Sequence, residues 1–447
     1  MARKKFSCDF ETTTKLDDCR VWAYGWMEIG KITNYKIGNN MEEFMEWVEH
    51  INSDLFFHNM RFDGEFIVNW LLKNGFEHND SGLKRTFNTT ISNMGQWYVI
   101  DICYGYNGNG KQRKKIHTVI YDSLKKLPFP VKKIAKDFKL SILKGDIDYH
   151  LERPIGWQIT EDERAYILND IQIVAEALEI QFKQGLDRIT AGSDSLKGFK
   201  SVISTKMFEK HFPVFSVEMD KELRKYYRGG FTWLHDIMEG KYVGEGIVFD
   251  VNSLYPSVMY YKPLPYGEPI FFEGEYEHDE KYPLYMQSMV CRFELKEGYI
   301  PTIQKKHQIN RFKPNEYLKK DDGEPVDLFV TNIDLEIMKE HYILKDVSYH
   351  GGWKFKQKIG LFKDFIDKWM YIKTTSDGAI KQLAKLMLNS LYGKFASNPK
   401  VTGKIPYLKS DGSTGYTLPK DDDGNVIEEY KKPIYTPMGV FITSWAR

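Results

Sequence analysis

Two short apolar runs in this chain end in acid, and that pattern narrows the folds open to it. Phe6 to Phe10 closes on Asp9-Phe10-Glu11, and Ile247-Val248-Phe249 closes on Asp250. Short apolar runs of this kind read as buried strands, so each acid falls where a strand emerges from a core. A carboxylate held rigidly at that point suits a hard divalent cation. It equally suits a cap for the next turn, and Ser253-Leu254-Tyr255-Pro256 does turn the chain after Asp250.

Around the first acidic run the chain alternates strand and helix. Val21 to Ile29 reads as a second strand. Met41, Phe44, Met45, Val48 and Ile51 have helical spacing, and Asp54 to Phe57 is a short strand ending at His58-Asn59. Phe62-Asp63-Gly64 leads into a helix from about Glu65 to Lys73, stopped by Gly75. Gln96 to Tyr104 and Lys115 to Tyr121 read as a hairpin around Gly105 to Gly110. Thr160-Glu161-Asp162-Glu163 is a capping box opening a helix to about Gln184. Such alternation predicts an α/β domain.

Within that domain the acids can converge. Asp9 and Glu11 flank Phe10, so both point to one side of a strand. Tyr166 and Asp170, four apart, share a helix face. Asp9, Glu11, Asp63 and Asp170 therefore come from three elements. Four carboxylates can bind two divalent ions, which activate a water and steady the leaving oxygen of a phosphodiester, with Tyr166 orienting the water. Each acid alone also reads as a solvated surface group; the ordered set is what carries specificity.

Composition neither adds nor removes a nucleic-acid partner. The net charge is +1, so any phosphate-binding surface must be local. Lys111 to Lys115 (KQRKK) is one cluster, and Lys125, Lys126, Lys132, Lys133 and Lys136 another; both read as phosphate tracks or as solvated faces. Aromatic residues reach 15%, which suits base stacking as well as cores. The 447 residues suffice for two or three domains. The four cysteines have neither metal-ligand nor disulfide spacing, which fits a reducing cytosol. The basic start lacks the apolar core of a signal peptide, and no apolar run reaches membrane-span length.

In the second half, residues 186–245 read as a connector, with loop-like Ser193 to Gly198 and a Gly-rich Tyr227-Arg228-Gly229-Gly230. Residues 262–360 are strand-rich, with turns expected at Gly267, Gly274 and Gly323. Ala379 to Ser397 is predicted helical: Lys381, Lys385, Asn389 and Tyr392 form a polar stripe over Leu383, Leu386, Met387 and Leu391. That stripe is either a solvated face or a contact in which Lys385 meets triphosphate oxygens and Tyr392 a nascent base pair, Gly393 leaving room for DNA. Residues 400–437 suggest an exposed hairpin, and Thr436 to Arg447 is again apolar.

Three motifs, Asp9-Phe10-Glu11, Asn59-x-x-Phe62-Asp63 and Tyr166-x-x-x-Asp170, resemble those of the proofreading 3′–5′ exonuclease domain of DNA polymerases. Asp250-x-x-Ser253-Leu254-Tyr255-Pro256 resembles motif A of family B polymerases, and Lys385-x-x-x-Asn389-Ser390-x-Tyr392-Gly393 resembles motif B. With Tyr121 to Pro130 and Leu143 to Tyr149, the chain resembles, over essentially its whole length, the protein-primed family B DNA polymerases of small Bacillus phages, the phi-29 group. The resemblance implies an α/β protein: a ribonuclease-H-like 3′–5′ exonuclease domain over 1–188, then a partial polymerase domain over 189–447 with palm, fingers and insertions. Lys144 and Tyr149 would assist exonucleolysis and Asp146 would touch a metal. His58, Asn59, Phe62, Ser123 and Leu124 would contact single-stranded DNA, and Tyr149 would contact DNA. Tyr227, Gly229 and Gly230 would bind template. Asp250 and the Val251 carbonyl would bind the polymerase metals, and Tyr255 would exclude a 2′-hydroxyl. Tyr255, Lys373, Lys385 and Tyr392 would bind nucleotide; Asn389, Gly393, Thr443 and Arg447 would bind DNA.

The same resemblance implies two Mg2+ ions per site, with Mn2+ able to substitute, and dNTPs, primer-template DNA and a terminal priming protein as partners. Replication would proceed by strand displacement in the cytoplasm of a bacterial host. In that family a Tyr-x-Asp-Thr-Asp strand and a thumb follow the point where this sequence stops. Asp421-Asp422-Asp423, between Lys420 and Gly424, reads as a turn and not as a substitute. The expectation is that this chain alone keeps the exonuclease and polymerises feebly unless a C-terminal polymerase fragment is supplied. The alternatives are a stand-alone metal-dependent exonuclease and a non-catalytic fragment that binds DNA or terminal protein.

Overall fold

A computed structural model describes residues 3–15, 18–108, 114–305 and 316–447. The first three residues of the KQRKK cluster, at 111–113, lie outside the described residues. The chain divides into two compact units. The first comprises Met1–Asp194 with Ile372–Leu386 and Lys400–Tyr430; the second comprises Ser195–Tyr371, Met387–Pro399 and Lys431–Arg447. Two segments expected within the 189–447 domain thus pack with the N-terminal unit.

The first unit is built on eight strands. They are β1 (Lys5–Thr12), β2 (Val21–Glu28), β3 (Tyr35–Gly38), β4 (Asp54–Phe57), β5 (Glu77–His78), β6 (Thr86–Ile91), β7 (Trp97–Asn107) and β8 (Lys114–Asp122). Four helices accompany them: α1 (Met41–Ile51), α2 (Met60–Lys73), α3 (Val131–Asp137) and α4 (Glu161–Lys183). The sheet order is β3-β2-β1-β4-β8-β7-β6-β5. β1 is antiparallel to β2 and parallel to β4, so both its edges are paired.

The pleat of β1 then sorts its side chains. Phe10 turns to the α1 side, where its ring meets Phe44 at 4.9 Å and Phe57 at 5.0 Å, both edge-on. Phe6 meets Trp47 at 5.2 Å on that same side. Asp9 and Glu11 are left for the opposite face, which α4 covers. α4 can lie close because β2 carries Gly25, where a Cβ would stand only 2.7 Å from Ile167 Cγ2. α2 begins at Met60, earlier than the expected Glu65, which puts Asp63 in its first turn, where the helix dipole favours a negative charge.

The second unit holds most of α5 (Ala191–Ile203), then α6 (Thr205–His211), α7 (Val217–Arg224), α8 (Leu254–Tyr261), α9 (Asn332–His341), most of α10 (Lys363–Thr375), the C-terminal part of α11 (Gly378–Phe395) and α12 (Thr436–Ala446). Its antiparallel sheet runs Val326–Thr331, Leu284–Leu295, Tyr342–Lys358, Leu264–Phe272. Several expectations are corrected here. Ser193 to Gly198 is helix, not loop, because packing overrides the local preference of Ser and Gly: Phe199 stacks on Phe362 at 4.7 Å, and Gly198 admits Met387. Gly267 lies inside a strand, at a register slip, rather than at a turn. The hairpin Ile405–Leu408/Thr414–Thr417 forms but docks on α2 within the first unit, where Tyr416 donates to Glu65 at 2.6 Å.

The largest departure concerns Ile247-Val248-Phe249. These residues belong to no strand and are 81%, 95% and 88% exposed. Among the described residues no strand pairs with them. An apolar run states what a segment can bury; a strand also needs a neighbour for its amides and carbonyls.

Candidate functional site

Asp9 and Glu11 from β1 and Asp170 from α4 each offer an oxygen within 4.8 Å of the others. Asp63 joins them from α2, where its carboxylate accepts from the Phe10 amide at 3.2 Å and so is held against β1. A cavity of about 120 Å³ opens beside the cluster, lined by residues that include Asp9, His58, Lys144 and Asp170. Lys144 forms an ion pair with Asp170, and its ammonium lies 5.1 Å from the Tyr166 ring. The Tyr166 hydroxyl meets that of Tyr149 at 2.6 Å.

Electrostatics set the cluster apart from the rest of the unit. Burial, then repulsion from neighbouring carboxylates, raises Asp9 and Glu11. The same two causes raise Asp63 well above the usual range, while for Asp170 burial outweighs the opposing pull of Lys144. Burial opposes the charge on Lys144, but Asp170 and Asp9 outweigh it and its pKa rises. Asp170 Oδ1 is buried without a hydrogen-bond partner. Crowded carboxylates with an unsatisfied oxygen are what a divalent cation would relieve. Asp146, expected to touch a metal, is exposed and outside the cluster, because the segment carrying it runs along the surface.

The residues expected to meet single-stranded DNA divide into two kinds. His58 and Ser123 are used internally: the ring nitrogens of His58 bond Ser123 Oγ at 3.0 Å and the Phe129 carbonyl at 2.8 Å. The backbone amides of Asn59 and Leu124 both donate to Asp122, which fixes this corner. Asn59, Phe62 and Tyr149 face solvent, and Phe62 at 52% exposure offers an open ring.

In the second unit, Tyr255 and Tyr392 stack with ring centroids 4.1 Å apart and planes within 3°. Gly230 lies beside them: a Cβ there would be 3.4 Å from the Tyr255 hydroxyl. Burial, then the neighbouring Tyr255, raises the pKa of Tyr227, which is half-buried at this spot. α11 presents Lys385, Asn389, Tyr392 and Gly393 along one side, with Asn389 and Gly393 exposed, and Lys373 is half-buried on α10. Asp250 and Val251 are exposed, and among the described residues Asp250 belongs to no group of three potential metal ligands. Thr443 is buried, its hydroxyl shared between the Gly439 and Val440 carbonyls of its own helix.

Asp334 was not singled out from sequence. Its carboxylate takes Arg447 at 2.5 Å and the hydroxyls of Thr331 and Ser444, while Arg447 also donates to the Gly229 carbonyl. A cavity of about 170 Å³ lies here, lined by Arg228, Asp334, His341 and Arg447 among others. Thr331-x-x-Asp334 is the same reciprocal cap as Thr160-x-x-Glu163, and that spacing was the available signal.

A mixed sheet bearing clustered carboxylates, followed by a unit with a stacked tyrosine pair beside Gly230, fits a polymerase of the B type. The family described as DNA polymerase type B, organellar and viral, matches residues 45–447, and the chain belongs to it. This is a family of DNA-directed DNA polymerases, whose ordinary cofactor is a divalent metal. Within it the chain is 68% identical over 448 residues to the DNA polymerase of Bacillus phage Nf, and 67% identical over 447 residues to that of Bacillus phage phi29. Each alignment takes in 100% of this chain and 76% of the relative. The fold matches phi29 DNA polymerase complexed with single-stranded DNA at a TM-score of 0.93, with 65% identity, covering 99% of this chain and 75% of the other. For the same enzyme complexed with primer-template DNA and incoming nucleotides the TM-score is 0.91, with 66% identity, covering 99% and 76%. The expected membership of the phi-29 group and the expected fold class are borne out. Among the described residues no helix is long and apolar enough to cross a membrane.

Proposed function

We propose that this chain is the exonuclease-bearing and motif-A-bearing part of a protein-primed, strand-displacing DNA polymerase, and that by itself it excises nucleotides 3′ to 5′ while extending primers feebly. The observation that carries the reading is the convergence of Asp9, Glu11 and Asp170 beside one cavity, with Asp63 held against β1 next to them. These residues would hold the cations, for which we infer Mg2+ with Mn2+ as a substitute. Bound there, such ions supply an activated water and neutralise charge on the leaving oxygen. The protein's own part is to orient and to stack. Tyr166, hydrogen-bonded to Tyr149, holds a hydroxyl over the cluster; Lys144 balances the charge of Asp170; Phe62 stacks a terminal base.

The polymerase reading rests on Tyr255 and Tyr392, on Lys385 and Lys373 for the triphosphate, and on Tyr227, Gly229, Gly230, Asn389, Gly393 and Arg447 for DNA. Asp250 with the Val251 carbonyl would bind cations there, but its exposed, unpaired setting supports weak activity in this chain. Single-stranded and primer-template DNA, with incoming nucleotides, are the substrates carried over from the solved relatives; a terminal protein is the proposed primer and the bacterial cytoplasm the proposed place of action. Functional division at 188/189 belongs to the same proposal.

The test is excision of 5′-labelled single-stranded DNA in magnesium, alongside primer extension with and without a fragment matching the remaining length of the relatives. Excision lost in Asp9→Ala with Asp63→Ala, and extension gained only with the added fragment, is the expected pair. Binding without excision would leave only a DNA-binding fragment.

A further inference from the structure

The capping box of α4 does more than start a helix. Glu163, 4% exposed, accepts from the Thr160 amide at 3.0 Å and from Trp157 Nε1 at 2.9 Å with one oxygen, and from Arg153 Nε at 2.8 Å with the other. Arg153, 5% exposed, sends its remaining donors into its own segment: Nη2 to the Asp148 carbonyl at 3.0 Å and Nη1 to the Leu151 carbonyl at 3.2 Å. Its guanidinium lies 4.3 Å from the Trp22 ring centroid on β2. One planar fork therefore joins α4, β2 and the segment 148–151. That segment includes Tyr149, whose hydroxyl meets Tyr166, and it follows Lys144, paired with Asp170.

We infer that Arg153 and Glu163 are positioning residues for exonucleolysis, holding the 144–153 segment so that Tyr149 reaches Tyr166 beside the acidic cluster. The inference rests on the exonuclease reading. Neither residue lines the cavity; both act through Tyr149. The segment has no strand or helix of its own between α3 and α4, so its backbone is fixed by side chains instead. Arginine is required for geometry as well as charge, because an ammonium cannot serve a carboxylate and two carbonyls in one plane.

The bland account is that the ion pair only caps a helix. Three variants separate the two. Thr160→Ala removes the helix cap and leaves the fork. Arg153→Lys keeps the charge and loses the fork. Glu163→Gln keeps a capping-box side chain and loses the ion pair. Excision of single-stranded DNA in magnesium is measured for each, alone and with Tyr149→Phe, alongside thermal melting. Arg153→Lys and Glu163→Gln are expected to lower kcat by about tenfold or more with KM little changed, since small misplacements near reacting groups cost that much. In the Tyr149→Phe background each should add less than about twofold, because linked groups are not additive. Thr160→Ala should lower the melting temperature and spare kcat. Full multiplication of the Arg153→Lys and Tyr149→Phe losses, or unchanged kcat in a folded Glu163→Gln, overturns the inference; should Arg153→Lys not fold, Glu163→Gln decides alone. Wild-type chain and Asp9→Ala are run first: no Asp9-dependent excision there is a failure of the exonuclease reading, distinct from these outcomes.

Discussion

Residues 5–12 and 246–251 start from the same sequence grammar and end differently. Both are apolar runs closing on an aspartate. β1 is paired on both edges and covered on both faces, and its acids converge with two others. The segment 246–251 is exposed, unpaired among the described residues, and its Asp250 stands apart. A cluster of carboxylates is thus made by the environment a strand is given as much as by the motif that announces it. Burial raises the energy of ionised Asp9, Glu11 and Asp63, and a bound cation would relieve it.

The largest expected difference between the two regions is catalytic. Asp9→Ala with Asp63→Ala should reduce magnesium-dependent excision by about a thousandfold or more, since losing anchored cations removes several kcal/mol of transition-state stabilisation. If the chain alone extended a primer as readily as it excises, the contrast would break at once.

The next effect is in amide exchange. Amides of β1 should exchange only through near-global opening, whereas those of 246–251 should exchange almost as fast as in an unfolded chain, a gap of at least about three decades. Slow exchange at Val248 would mean that the segment is paired, and the contrast with β1 would fail.

Stability against pH sharpens the comparison further. Burial first, then neighbouring acids, raise Asp9 to about 7 and Glu11 to about 9. An unfolded carboxylate titrates near about 4, so between these values the folded chain holds protons that the unfolded chain has released. The stabilising contribution is full below about pH 4 and is lost as pH rises through about 7 and then about 9. Metal-free protein should therefore melt at lower temperature as pH rises over that window, magnesium should restore it, and Asp9→Asn should flatten the fall. Identical pH profiles for wild type and Asp9→Asn would remove this account of the cluster.

Much of the first site was legible because its signals are local. Alternation around Phe10 placed Asp9 and Glu11 together, and a spacing of four placed Tyr166 above Asp170. What escaped reading depends on distant partners. Whether Ile247 to Phe249 pairs cannot be seen in those residues. Ser193 to Gly198 looked like loop until Phe199 and Met387 packed around it. Thr443 matched a DNA-binding motif, yet its hydroxyl is turned to its own helix. Asp334 and Glu163 have the same capping spacing, but only tertiary structure reveals the arginine each one holds.

The smallest expected effect is also the most direct probe of what an apolar run is worth. Phe10 is 4% exposed, and Phe10→Ala should cost about 3–5 kcal/mol in transfer and cavity terms. Phe249 is 88% exposed, so Phe249→Ala should change chemical-denaturation stability by less than about 0.5 kcal/mol. Magnitude separates two causes here. A cost near zero agrees with the exposure of Phe249, whereas a cost above about 2 kcal/mol would require it to be buried against something. Repeating the measurement with the remaining length of the relatives supplied in trans converts the contrast into a binding assay. Phe249→Ala should then weaken association even though it leaves the lone chain untouched, because a ring that meets only water in one state can contribute only in the other.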